Sequence, residues 1–131
     1  MPCAADVVRQ FLDHLNAQRI DAAGELLADD VFYHNIPMDP IVGRAGWRAS
    51  MDASGLGTAL LADWKLVSLA QDGDIVLTER LDDFLSPDGK LQLSIPVMGS
   101  FRVSDGRIVE WRDYFDMGQF ERQLASLGTA G

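Results

Sequence analysis

The chain has 131 residues, and 11 Lys and Arg against 20 Asp and Glu give it a formal net charge of −9. This acidic balance argues against nucleic acid or an anionic membrane as a partner, because both are bound through basic surfaces. A chain of this length supports one hydrophobic core, so we expect a single domain over residues 1–131. The lone cysteine, Cys3, and the lack of a long apolar run predict a cytoplasmic protein without a disulfide or a membrane span.

The first half of the chain predicts mainly helices, because its apolar residues recur at helical spacing. Between the second and third helix, the segment Val31–Tyr33 has the composition of a strand. The expected helices span residues 4–17, a short segment with Asp21 as its N-cap that includes Leu27, and a segment from Gly43 to Gly55.

The second half predicts a meander of hairpins. Asp-Gly pairs begin at Asp72, Asp88 and Asp105 and separate four apolar segments, and Asp-Gly is a strong signal for a tight hairpin turn. Gly99, and with it Pro96, is expected to mark a bulge or a bend. The expected strands cover residues 60–70, 74–85, 90–103 and 107–115.

A last helix is expected to begin at Asp116, with Gln119 completing a capping box, and to end before Gly128. Helices followed by a long antiparallel sheet predict an α+β fold, with the sheet packed against the N-terminal helices. Because the strands are longer than the usual five or six residues, we expect the sheet to curve and to enclose an apolar pocket.

Three strand segments each carry a pair of residues at spacing i, i+2, which places both members on one face of the strand. If these faces turn inward, two carboxylates and one guanidinium are buried together, which proteins tolerate only when the charges are paired. The planar guanidinium of Arg80 presents five donors and can therefore bridge both carboxylates. The pairs are Tyr33 with Asn35, Arg80 with Asp82, and Trp111 with Asp113.

Each pair also has a purely structural interpretation. On an outward face, Arg80 and Asp82 would form an ordinary surface ion pair. A register change of one residue would turn Asp113 to solvent. The Tyr33 pair would suit an edge strand and a turn, and Trp111 would suit the core.

Other kinds of site find less support. The two histidines, His14 and His34, lack the spacing of a metal site, so no metal is expected. The chain has neither a nucleophile elbow nor a glycine-rich phosphate loop. Any chemistry is therefore expected to be acid–base chemistry without a cofactor.

Together these motifs resemble the limonene-1,2-epoxide hydrolase family, which is built on the cone-shaped fold of the nuclear transport factor and ketosteroid isomerase superfamily. The resemblance extends from the first helix to the last. It implies a deep apolar pocket and a homodimer. The segments that carry it are Tyr33–Pro37, Glu79–Asp82 and Trp111–Asp116.

The resemblance also implies a role for each polar residue. Asp113 would be the general base and would act on a water that Tyr33 and Asn35 also hold. Asp82 would be the general acid that protonates the epoxide oxygen, and Arg80 would bridge the two carboxylates. The reaction would be a single step without a covalent intermediate.

An apolar wall suggests a small cyclic or terpenoid epoxide as the substrate, with water as the second reactant. Two alternatives remain open: an isomerase or cyclase of the same fold, and a non-catalytic module that binds a small ligand or dimerises. The residues expected to contact the substrate are Trp111, Phe84, Phe115, Phe120, Val97, Met98 and Leu60.

Overall fold

The computed structural model describes residues 2–130 and confirms the α+β class, with helices packed against a six-stranded sheet. No helix in this range is long and apolar enough to cross a membrane. The strands lie in the order β2-β1-β6-β5-β4-β3. The elements are α1 (Ala4–Asn16), α2 (Ile20–Glu25), β1 (Leu27–Asn35), β2 (Ile41–Val42), α3 (Arg44–Ser54), β3 (Leu61–Asp72), β4 (Ile75–Leu85), β5 (Leu91–Ser104), β6 (Arg107–Tyr114) and α4 (Met117–Ala130).

Strands β3 to β6 form the predicted antiparallel meander. The turn between β5 and β6 has positive φ at both central residues, 53° at Asp105 and 77° at Gly106, which suits the twist of a tight hairpin. The turn between β3 and β4 falls one residue later than expected, at Gly73 and Asp74. The strand pairing keeps its register at Pro96 and Gly99, so no bulge occurs there, and the nearest irregularity in β5 lies between Arg102 and Val103.

The pairing of β1 with β6 is parallel, so the sheet is mixed rather than wholly antiparallel. After β1 the chain passes through β2 and α3 to β3 at the far edge of the sheet. The last strand of the meander therefore lies beside the first strand of the chain. This pairing aligns Tyr33 with Trp111 and Asn35 with Asp113, so two of the predicted pairs become neighbours.

The second helix differs from the prediction at both ends. It ends at Glu25, and Leu27 already belongs to β1, where the backbone carbonyl of Leu26 accepts a hydrogen bond from the N–H of Ile108 in β6. Asp21 is not the N-cap, because its carboxylate is paired with Arg48 of α3. Pairing to β6 thus ends the helix sooner than its own residues predict.

The last helix begins as predicted and ends later. The carboxylate of Asp116 accepts the backbone N–H of Gln119 at 3.2 Å, as an N-cap does. The helix continues through Gly128 to Ala130. A glycine near a helix end costs only about 1 kcal/mol relative to alanine, so it does not by itself stop the helix.

The core lies between α1 and the face of the sheet that α1 covers, which we call the inner face. Trp111 of β6 is its centre. The ring of Phe11 from α1 meets Trp111 edge-on at 5.0 Å between centroids, and Phe101 from β5 stacks on it at 5.5 Å. This aromatic packing fixes the inner face of β6, which also carries the predicted site.

Three side-chain amides bond to backbone N–H and C=O groups at strand edges that no neighbouring strand pairs with, as a further strand would. Asn16 bonds both the N–H and the C=O of Trp64 in β3, at 2.7 and 2.8 Å. Gln123 of α4 does the same for Ser94, on the part of β5 that β6 does not reach. The end of α1 and the whole of α4 are thereby fixed to the sheet on either side of the site. The third amide is Gln18, which bonds Ala62.

We expect Asn16→Asp to lower the free energy of unfolding by about 1–3 kcal/mol, because it removes the donor to Trp64 and places a carboxylate against a carbonyl. Urea denaturation measures the change. Gln10→Glu, which adds the same charge on the exposed face of α1, should change stability by less than about 0.5 kcal/mol. Equal losses in the two variants would show that the amide bonds contribute nothing.

Candidate active site

Arg80 lies between Asp82 and Asp113 on the inner face of the sheet, and we call these three side chains the carboxylate cluster. Nε and Nη2 of Arg80 donate to the two oxygens of Asp82 at 3.0 and 2.8 Å. Nη1 and Nη2 donate to the two oxygens of Asp113 at 3.1 and 2.8 Å. All three residues are at most 4% exposed. A surface ion pair and an outward Asp113 are therefore both excluded.

The guanidinium of Arg80 has no free donor. Its fifth N–H, on Nη1, donates to the hydroxyl of Thr78 at 3.2 Å. Its carbon lies 5.4 Å from the ring centre of Trp64 and 5.9 Å from that of Phe101. The hydrogen bonds in the plane of the guanidinium fix its orientation, and contacts with the two aromatic rings help to hold it in place.

Burial raises the pKa of Asp82 to about 6, although the charge and hydrogen bonds of Arg80 lower it. For Arg80, burial alone lowers the pKa, but the charges of Asp113 and Asp82 outweigh this and hold it above its ordinary value. Burial, and then the charge of Asp113, raise the pKa of Tyr33. The site therefore holds a permanent cation, a carboxyl that retains a proton in weakly acidic solution, and a neutral phenol.

Tyr33 and Asn35 come to the site from β1. The side-chain amide of Asn35 donates to the hydroxyl of Tyr33 at 2.8 Å, and the Tyr33 ring packs on Trp111 at 4.4 Å. Asn35 is the register partner of Asp113, whose backbone carbonyl accepts the N–H of Ile36. The parallel pairing thus places a hydroxyl and an amide next to a carboxylate.

A cavity of about 350 Å³ opens in front of these groups. Tyr33, Asn35, Asp82 and Asp113 line it, whereas Arg80 lies behind them. The rest of the wall is apolar except for two serines of α3. The structure places Leu60, Phe84, Val97, Phe115 and Phe120 on this wall, as predicted.

Two of the predicted wall residues lie elsewhere. Met98 is 53% exposed on the outer face of the sheet, because alternation along β5 turns it away from its neighbour Val97. Trp111 is fully buried in the core and does not reach the cavity. Its indole N–H donates to Asp113 at 2.9 Å. Trp111 therefore contacts the carboxylate cluster. The prediction that it contacts the substrate was wrong, because it does not line the cavity.

About half of the residues that line the cavity were not predicted from the sequence. Leu93 and Ile95 alternate with Val97 along β5, and this period of two is a signal that could have identified them. The other missed residues come from α3, β3, α4 and the loops after β1 and α3, and only the tertiary fold brings these elements together. They are Met38, Ser50, Met51, Ser54, Leu56, Trp64 and Leu124.

The rest of the described chain offers no competing centre. Within residues 2–130, no three His, Cys, Asp or Glu side chains are arranged to hold a metal ion. A depression of about 640 Å³ between α2 and α3 has a mixed lining of charged, polar and apolar residues. There Arg48 is paired with Asp21 and Asp52, and the carboxylate cluster does not reach it.

Comparison with known proteins shows similarity to epoxide hydrolases. The family model described as the limonene-1,2-epoxide hydrolase catalytic domain matches residues 2–125. The chain is 36% identical to epoxide hydrolase EphG of Mycobacterium tuberculosis over 110 residues, which are 84% of this chain and 71% of that protein. A solved LEH-like epoxide hydrolase from M. tuberculosis superposes with a TM-score of 0.75 at 32% identity, covering 98% of this chain and 96% of that one.

More distant structures share the fold alone. A putative polyketide cyclase from Pseudomonas putida has a TM-score of 0.81 but only 17% identity, covering 94% of this chain and 98% of that one. The same fold is therefore shared by proteins that are named for different activities.

We expect the side-chain carboxyl carbon of Asp82 to titrate in ¹³C NMR with a pKa of about 6. Because this pKa is raised on folding, the folded chain binds the proton more tightly than the unfolded chain. Asp82 therefore contributes most to stability below about pH 4, and this contribution is lost as the pH rises through about 6. Asp82→Asn identifies the resonance by removing it, and a transition below about pH 4 would contradict the prediction.

Proposed function

The chain belongs to the limonene-1,2-epoxide hydrolase family, and we propose that it adds water to a small apolar epoxide to give a vicinal diol. The observation that carries the proposal is the carboxylate cluster. Arg80 holds two buried carboxyl groups at the base of an apolar cavity, with Tyr33 and Asn35 beside one of them. A base and an acid thus face the same space, which an epoxide requires because its ring must be attacked and protonated together.

Asp113 is the proposed general base. Its carboxylate accepts hydrogen bonds from Arg80 and from Trp111, which fix its orientation, and Asp113 lines the cavity. The hydroxyl of Tyr33 and the amide of Asn35 stand beside it. A water held by these three side chains would lose one proton to Asp113 as its oxygen attacks a ring carbon.

Asp82 is the proposed general acid. Burial raises its pKa to about 6, so it retains a proton nearer to neutrality than an ordinary aspartate does. It would give that proton to the epoxide oxygen as the carbon–oxygen bond breaks, and no bond to the protein would form. General acid and base catalysis each typically contribute about 10²–10⁴-fold. After the step, the proton on Asp113 must return to Asp82 to complete the cycle.

The shape of the cavity supports a small, mainly apolar substrate. Along β5, Val97, Ile95 and Leu93 lead from the level of the carboxylates towards α4, and Leu124 of α4 lines the other end. The core closes the cavity behind the carboxylates. The epoxide ring would therefore enter first, and the apolar body would extend towards α4. A small cyclic or terpenoid epoxide fits this space.

The enzyme assignment predicts that the protein converts cyclohexene oxide or limonene oxide in ¹⁸O-water into trans-diol that carries one label. Asp82→Asn and Asp113→Asn should each lower kcat/KM by at least about 10²-fold. Asp83→Asn is the matched control, since Asp83 is buried on the same strand but faces outward and pairs with Lys65. It should keep most of the activity.

Three outcomes would contradict this proposal. A failure to form diol from a panel of small epoxides would favour the isomerase or the binding module instead. Near-normal turnover in either carboxylate variant would remove the acid and base roles. Incorporation of ¹⁸O into the protein during a single turnover would indicate a covalent ester.

We also propose that the chain forms a homodimer through the outer face of the sheet. Met98 and Tyr114 are register partners on β5 and β6, and both are about half exposed, as is Leu77 on β4. Large apolar side chains grouped on one face are typical of an interaction surface.

The dimer proposal predicts that Met98→Asp converts the dimer to a monomer, which light scattering coupled to size-exclusion chromatography measures as a halved mass. Gln10→Glu, which adds one negative charge on the exposed face of α1 at the opposite side of the sheet, should leave the dimer intact. A monomeric unmodified protein at micromolar concentration would overturn the proposal.

A further inference from the structure

Gly99 of β5 has no side chain at a position where one would collide with the carboxylate cluster. A Cβ built on Gly99 would lie 2.5 Å from Nη1 of Arg80 and 2.8 Å from an oxygen of Asp113. Its φ is not in the left-handed region, so the backbone conformation does not require glycine. The close approach of the guanidinium does.

Gly99 belongs to a row of three residues that crosses neighbouring strands. Thr78 of β4 pairs with Gly99, and Gly99 pairs with Asp113 of β6. The missing side chain leaves a gap between Thr78 and Asp113, and Nη1 of Arg80 occupies it, bonded to both neighbours at 3.2 and 3.1 Å. We call this gap, bounded by Thr78, Gly99 and Asp113, the guanidinium site.

Moving the guanidinium of Arg80 aside costs free energy, because it breaks buried hydrogen bonds. Its five N–H groups are all bonded, and it is fully buried beside Trp64 and Phe101. Any displacement breaks at least one bond between a carboxylate and this fully buried guanidinium, and an unpaired buried polar group is costly.

We propose that Gly99 and Thr78 are positioning residues for the proposed hydrolysis. Neither lines the cavity, so neither touches the substrate. Together they place the guanidinium of Arg80, and through it they set the distance and orientation between Asp113 and Asp82. The inference rests on the proposed function, because the property they control is the geometry of the acid and the base.

Gly99→Ala tests this proposal. Displacing Arg80 by about 1 Å should lower kcat by about 10²-fold, while KM changes less than about threefold because the apolar part of the cavity wall is untouched. Arg80 lowers the pKa of Asp82, so a displaced guanidinium should also shift the alkaline limb of the pH–rate profile to higher pH. Ser100→Thr is the matched control, because it adds one methyl at the next residue, which faces outward. It should change neither kcat nor the pH–rate profile.

Thr78 provides a second test if Gly99→Ala fails to fold. Thr78→Val keeps the shape of the side chain and removes the acceptor for Nη1, so kcat should fall about tenfold. Thr78→Ser restores the hydroxyl and should restore most of the lost rate. Equal rates in the valine and serine variants would overturn the role of Thr78.

A readout without substrate separates this inference from the proposed function. The guanidinium protons of Arg80 should exchange slowly with solvent in the unmodified protein and faster in Gly99→Ala and Thr78→Val, as ¹⁵N NMR measures. If no epoxide is hydrolysed, the proposed function fails, and the exchange rates still decide whether the guanidinium site positions Arg80. Unchanged exchange, or a lower kcat with an unchanged pH profile, would overturn the inference.

Discussion

The burial of one guanidinium between two carboxylates is the constraint on which this structure depends. Each charge removed from water costs several kcal/mol unless its partners are close and well oriented. Arg80 meets this condition through bonds to Asp82, Asp113 and Thr78. The absence of a side chain at Gly99 follows from the same condition. Much of what surrounds the cluster is therefore determined by charge rather than by hydrophobic packing alone.

The parallel strand pair explains why this cluster has a cavity with polar groups on one side. An antiparallel meander alone would supply Arg80, Asp82 and Asp113 but no hydroxyl or amide that lines the cavity beside them. The pairing of β1 with β6 brings Asn35 into register with Asp113, and Tyr33 follows two residues before. In the proposed function, the placement of β1 beside β6 supplies the residues that hold water. The acid and the base reach the same face because side chains alternate along β4 and β6.

The features that could be predicted from the sequence are those set by residues close together in the chain, such as the face that a strand residue occupies. Features that depend on contacts between distant elements could not be predicted. The pair of Arg80 and Asp82 was predictable because residues two apart share a strand face. Trp111 and Asp113 share a face by the same rule, yet the rule does not say how far along that face the cavity extends. Trp111 lies on the core side of that boundary. The contribution of α3 was unpredictable for the same reason, because no local pattern indicates where a helix crosses a sheet.

The two carboxyl groups differ in their surroundings, and the proposed division into acid and base follows from that difference. Asp113 accepts an additional N–H bond from the indole of Trp111, whereas Asp82 has no such donor among the described residues. A single proton on Asp82 leaves one cation and one anion in the cluster, so the buried charges cancel. A second proton would leave Arg80 without a counter-charge, and no proton would leave two anions for one cation. The singly protonated cluster is thus the state that burial favours, and it is also the state that an acid and a base acting together require.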